Sequence, residues 1–169
     1  MLKVDLRDLE RRQTLRVEGR IEVDDDLFDG FSFVLREPFD VVLDAMWAGS
    51  GELGVRGGVV GAVYQECRRC LDRIERDIDI DITLLFAPPD LLEEDDGETY
   101  HIDLGVCEID LGPYVRDEVI LAIPAFVECR RECRGICAGC GENLNESECM
   151  CSPGGMDPRW DALRAPEKK

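Results

Sequence analysis

Eight of the nine cysteines in this chain stand in four close pairs: Cys67-x2-Cys70, Cys129-x3-Cys133, Cys137-x2-Cys140 and Cys149-x-Cys151, with Cys107 left over. Two thiolates a few residues apart reach one tetrahedral ion from a single tight turn, so four pairs supply two four-thiolate zinc sites. The most specific unit is Cys137-Ala138-Gly139-Cys140-Gly141. Its small residues let the chain curl around a metal, and a glycine after the second ligand accepts positive φ. Eight residues separate Cys140 from Cys149, and Asn143 and Asn145 can turn the chain between them. Cys137, Cys140, Cys149 and Cys151 therefore form a local ligand set. Cys67, Cys70, Cys129 and Cys133 then join across the fold, with Cys133 and Cys137 able to exchange sites.

A disulfide scaffold is the competing reading. It needs an oxidising compartment, whereas the stretch from Met1 to Asp8 has no apolar signal core and the odd cysteine count suits a reducing cytosol. The longest apolar run, Val119 to Val127, is nine residues long and contains Pro124, too short to cross a membrane.

Catalytic chemistry finds few parts. A lone histidine, His101, leaves no Ser-His or Cys-His pair, and it reads as a surface or half-buried residue. Catalytic zinc keeps an open position and uses histidine or carboxylate ligands, which closed four-thiolate sites do not offer. Cys67-x2-Cys70 as a redox dithiol would sit at a helix start after a strand; here an alternating strand follows it. No catalytic residue is assigned.

Charge narrows the partners. There are 38 acidic residues against 20 basic ones, a net charge of −18. Such a field repels nucleic-acid phosphate and attracts basic proteins. Asp72 to Asp110 holds 14 acids and two arginines, and within it Glu93 to Asp96 reads as a solvated loop. Arginines crowd the cysteines instead: Arg68, Arg69, Arg130, Arg131 and Arg134. They offset the charge of a four-thiolate site, or contact phosphate.

The elements that must position these groups follow from periodicity. Leu15 to Val23 alternates as a half-buried strand. Phe31 to Leu35 reads as a second strand stopped by Pro38, Phe39 to Trp47 as a third, and Leu53 to Tyr64 as a fourth whose glycines weaken the assignment or mark bulges. Ile74 to Leu84 alternates isoleucine with acid, so Cys67-x2-Cys70 caps a hairpin. Thr99 to Leu104 is a short strand. Asp110 caps a helix over 111–123, ended by Pro124. Asp157 to Leu163 reads as one capped helical turn.

The fold class is thus α+β: a mainly antiparallel β core with one main helix and a cysteine-rich zinc-binding C-terminal module. Residues 1–127 form the core with its CxxC knuckle and 128–169 the module and tail. Six cysteines between Cys129 and Cys151 leave little apolar area there, so metal must organise that segment.

Cys67-Arg68-Arg69-Cys70, the helix from Asp110-Leu111-Gly112 to Pro124, and the run from Cys129 to Asn145 with its Cys140-Gly141-Glu142-Asn143-Leu144-Asn145 string resemble the YceD family, also called large ribosomal RNA subunit accumulation proteins. Cys149-Met150-Cys151 and Asp157-Pro158-Arg159-Trp160 resemble its Gram-positive and plant-type branch. The likeness runs from about residue 60 to 165. It implies a non-enzymatic cytoplasmic protein needed for accumulation of 23S ribosomal RNA, in a family whose gene often neighbours that of a small zinc-binding ribosomal protein of the large subunit. Some relatives lack most of the C-terminal cysteines, so the second site is not a requirement of the whole family. Three functions compete: an acidic assembly factor holding a basic ribosomal protein or the pre-50S particle, an rRNA-binding protein using the arginine-flanked knuckles, and a zinc- or thiol-dependent oxidoreductase. Charge favours the first over the second, and the closed sites count against the third.

Overall fold

The computed structural model describes residues 2–23, 26–48, 51–91, 99–103 and 105–151. A five-stranded sheet dominates, ordered β2 (Thr14–Ile21), β3 (Phe33–Trp47), β4 (Leu53–Glu66), β5 (Arg73–Ala87) and β6 (Thr99–His101). A two-stranded ribbon of β1 (Lys3–Asp5) and β7 (Glu108–Asp110) lies apart from it in pairing, and two helices, α1 (Leu6–Arg12) and α2 (Gly112–Ala122), complete the set. The fold is α+β and mainly antiparallel; among the described strands only β5 and β6 pair in parallel.

Alternation builds the core. Val55, Val59 and Val63 of β4, Ile78, Ile82, Leu84 and Phe86 of β5, and Phe39, Val41 and Leu43 of β3 are buried on one side. The intervening residues of β5, from Glu75 to Leu85, face out. Leu6 and Leu9 of α1 and Leu111, Val115, Val119 and Ile123 on and around α2 cover the apolar face. Ala122, which helical spacing from Val115 and Val119 would place on the buried stripe of α2, is exposed, and Ile123 takes its place. Asp110 accepts a hydrogen bond from the Gly112 N–H at 2.9 Å, one position ahead of Leu111, which caps the helix without a side-chain bond. The chain is extended by Ile123, as a residue before proline must be.

Three sequence expectations change. Pro38 does not end a strand: β3 runs unbroken from Phe33 to Trp47, with register shifts between Leu35 and Glu37 and between Glu37 and Asp40. Proline has no N–H to donate, so it occupies the interruption in the ladder instead of breaking the strand. Opposite the interruption lies Gly61, where a Cβ would stand 2.3 Å from a ring carbon of Phe39; its lack of a side chain admits that buried ring. Helix α1 was not expected. Asp5 caps it by accepting the Arg7 and Asp8 N–H groups at 2.9 and 3.2 Å, and seven residues with two buried leucines make too short a pattern to announce a helix. The third is the short strand at Thr99, which ends at His101 and pairs in parallel. The helical turn expected at Asp157 to Leu163 and the loop from Glu93 to Asp96 lie outside the described residues.

Candidate metal centre

The hairpin between β4 and β5 narrows to a six-residue tip. Cys67 N–H donates to the Asp72 carbonyl at 2.9 Å, and Leu71 N–H donates to the Cys67 carbonyl at 2.9 Å. The second CxxC repeats this frame: Cys137 N–H to the Glu142 carbonyl at 2.8 Å and Gly141 N–H to the Cys137 carbonyl at 2.8 Å. Both tips place the residue after the second cysteine in the left-handed region, Leu71 at φ 63° and Gly141 at φ 78°. Glycine takes that conformation freely, whereas leucine does so at a cost. Two segments with Arg-Arg and Ala-Gly between their cysteines thus make one shape.

The first tip reaches its other two thiols through the segment after α2. Gln65, buried near the end of β4, donates from Nε2 to the Pro124 carbonyl at 2.8 Å. Arg68 N–H donates to the Val127 carbonyl at 2.9 Å, and the Arg68 guanidinium pairs with Glu128 at 2.9 Å. These contacts deliver Cys129 and Cys133. Cys67 and Cys133 sulfurs stand 3.8 Å apart, Cys70 and Cys129 sulfurs 3.6 Å, and Cys129 N–H points at Cys67 Sγ from 3.4 Å. Cys67, Cys70 and Cys133 are buried and Cys129 is exposed.

The second group is local. Leu144 N–H donates to the Gly135 carbonyl at 2.9 Å, and the Glu146 and Ser147 N–H groups both donate to the Asn143 carbonyl at 3.1 Å, folding the eight-residue connection back. Cys149 and Cys137 sulfurs approach to 3.3 Å, and Gly139 N–H points at Cys137 Sγ from 3.3 Å. Here Cys140 and Cys151 are exposed, so the second group is the more open of the two.

Two asparagines join the groups. Asn145 Nδ2 donates to Cys133 Sγ at 3.4 Å and to Asn143 Oδ1 at 2.9 Å, and its Oδ1 accepts the Arg134 N–H at 2.8 Å. Asn143 Nδ2 donates to Asp72 Oδ1 at 3.0 Å. Ile136 N–H closes the seam on the Arg69 carbonyl at 2.9 Å. The sequence marks these asparagines only as turn formers; their side chains also tie the second group to the first.

In each group, Cys67, Cys70, Cys129 and Cys133 or Cys137, Cys140, Cys149 and Cys151, all four sulfurs lie within 4.8 Å of one another and could hold a metal ion. A metal–sulfur bond of about 2.3 Å in a tetrahedron implies sulfur–sulfur edges of about 3.8 Å. The spacings of 3.3, 3.6 and 3.8 Å fit that geometry. Burial pushes the Cys67 thiol up, but N–H groups of Cys70, Cys129 and Arg69 outweigh it and bring it down to about 6. Hydrogen bonds from the Cys140 and Gly139 N–H groups bring Cys137 to about 6. Burial opposes ionisation of Cys133, and the Asn145 amide prevails and lowers it. Burial raises Cys70, while proton sharing with Cys140 and Cys137 pushes Cys151 up to about 12. N–H donors aimed at sulfur are the surroundings that keep thiolates ready for a cation.

The remaining candidates lie elsewhere. Cys107 is exposed and belongs to neither group; its carbonyl accepts the Leu6 N–H. His101 is exposed on β6. Of the five arginines only Arg68 has an ion pair among the described residues, whereas Arg69, Arg130, Arg131 and Arg134 are exposed without one. No described helix is long and apolar enough to cross a membrane.

A family model described as large ribosomal RNA subunit accumulation protein YceD matches residues 55–165, which span both cysteine groups. A protein of Mycobacterium tuberculosis is 36% identical over 110 residues, 64% of this chain and 53% of its own length. A chloroplastic YCED homolog 1 of Arabidopsis thaliana, named a large ribosomal RNA subunit accumulation protein, is 41% identical over 63 residues, 37% of this chain and 20% of its own. The maize protein of the same name is 28% identical over 132 residues, 61% of this chain and 45% of its own. The chain spans about half the length of the mycobacterial relative. No solved structure matches.

Proposed function

The chain belongs to the YceD family of large ribosomal RNA subunit accumulation proteins, and on that premise we propose that it is a cytoplasmic, non-enzymatic factor in large-subunit assembly that supports accumulation of 23S ribosomal RNA. The match over residues 55–165 carries the reading. Cys67, Cys70, Cys129 and Cys133 hold one zinc ion, and Cys137, Cys140, Cys149 and Cys151 hold a second. Zinc in closed four-thiolate sites supplies folding energy and no reactive position. Residues 128–169 act as a cysteine-rich module fastened to the 1–127 core through the first cluster, which draws two thiols from each side.

The partner is a basic protein of the large subunit or the pre-50S particle that contains it. Support comes from the net charge of −18 and from the acids between Asp72 and Asp110. Direct rRNA contact is a second reading, favoured by four exposed arginines that have no ion pair among the described residues. One experiment separates them. Neutralising Glu93, Glu94, Asp95 and Asp96 together slows association at low salt if the partner is a basic protein, and strengthens binding if it is RNA. The effect fades towards about 1 M salt, where screening acts within about 3 Å. The assembly role itself is tested in cells lacking the gene: 23S ribosomal RNA falls and is restored by the wild-type chain. Elemental analysis giving one zinc or none per gently purified chain refutes the zinc assignment, and unchanged 23S levels refute the assembly role.

A further inference from the structure

Among the described residues, β5 is open along most of one side. From Arg73 to Phe86 it pairs with β4, whereas on its other side β6 begins only opposite Leu85. Among the described residues no hydrogen bond from another element reaches its backbone between Ile74 and Leu84 on that side. An antiparallel strand directs alternate N–H and C=O groups to each neighbour, so this edge presents a row of unpaired donors and acceptors. The buried Ile78, Ile82 and Leu84 anchor the strand in the core, so its register is set before any partner arrives.

The outward side chains choose the occupant. Glu75, Asp77, Asp79 and Asp81 are exposed at every second position, about 7 Å apart. Arg36 pairs with Glu75 at 2.8 Å and reaches Asp77 at 3.9 Å, and Asp79 and Asp81 have no ion pair among the described residues. We propose that this edge takes up an extended, lysine- or arginine-rich segment of a partner protein as an added strand, resting on the basic-protein reading above. Backbone pairing supplies the register, and basic side chains at alternate positions face the free carboxylates. A second copy of this chain would bring a like row of acid against this one, which disfavours self-pairing. Nucleic acid has no peptide backbone to add and carries the repelling charge.

The test uses the full, metal-loaded chain and a synthetic peptide of about ten residues alternating lysine with threonine, long enough to line the acidic row. A second peptide has the same side chains but alternate backbone amides N-methylated. The first peptide binds at low salt and slows hydrogen exchange at alternate amides between Glu75 and Thr83. N-methylation weakens it by about tenfold or more, through loss of strand hydrogen bonds. Asp79→Lys with Asp81→Lys weakens it comparably while leaving the melting transition in place. Equal binding of the methylated peptide, no binding at all, or protection confined to another element each overturns the proposal. Co-sedimentation with large-subunit particles judges the assembly reading separately. If the wild-type chain fails to co-sediment, that reading falls while the peptide result stands. If the double lysine variant co-sediments as well as the wild type, the edge is not the docking strand and the assembly reading survives.

Discussion

Asn145→Ala should loosen metal from the first cluster although Asn145 lies within the connection of the second. The side chain makes three hydrogen bonds, and they are not equal. Its bonds to Asn143 Oδ1 and from the Arg134 N–H lie near the surface, where water replaces them in the variant. The bond to Cys133 Sγ ends on a residue only 1% exposed, where water does not replace it. A hydrogen bond to a charged group contributes about 1.5–3 kcal/mol, so loss of about 2 kcal/mol lowers zinc affinity by about 30-fold. That lies within the range of about 10–100-fold for residues that orient metal ligands. Competition against a chromophoric chelator measures it, repeated in a Cys137→Ser, Cys140→Ser background so that only the first cluster holds metal. Asn145→Asp should do worse than alanine, because it keeps the acceptor for Arg134 but sets a carboxylate beside a thiolate. A change below about threefold in that background would refute the reasoning, as would aspartate outperforming alanine.

The two matching tips predict opposite responses at matching positions. Gly141→Ala, at φ 78°, should destabilise the metal-loaded protein by about 1–2 kcal/mol. Leu71→Gly, at φ 63°, should be within about 1 kcal/mol of neutral, because relief of the left-handed strain offsets added freedom of the unfolded chain; thermal melts decide both. Gly61→Ala should cost about 1–3 kcal/mol by pressing on Phe39, and Phe39→Leu should recover part of that loss in a double-mutant cycle. Metal affinity should fall as pH drops through about 6, because Cys67 and Cys137 are lowered to about 6 and take up protons below that value. Stabilisation from those lowered groups is present above the ordinary thiol range and is lost as pH falls through about 6, so an affinity that stays level as pH falls through that value would contradict the reasoning.

Short-range pattern was enough for much of this protein. The spacing of Cys137, Cys140, Cys149 and Cys151 marks a local group because a connection of eight residues confines its two pairs. The alternation of isoleucine and acid from Ile74 to Leu84 states a half-buried strand because side chains on a strand repeat every second residue. Other features depend on residues distant in the chain. Gathering Cys67 and Cys70 with Cys129 and Cys133 requires Gln65 to meet Pro124 and Arg68 to meet Val127, about sixty residues away, and no local period encodes such a meeting. Pro38 stops a strand by its own chemistry, yet the sheet absorbs it in an irregularity because Gly61 across the ladder admits the Phe39 ring. Helix α1 depends on the core that buries Leu6 and Leu9, since seven residues do not hold a helix in water. Residue types thus determined which groups can bind a cation and which faces avoid water. Tertiary packing decided which distant groups meet and which strand edge stays open.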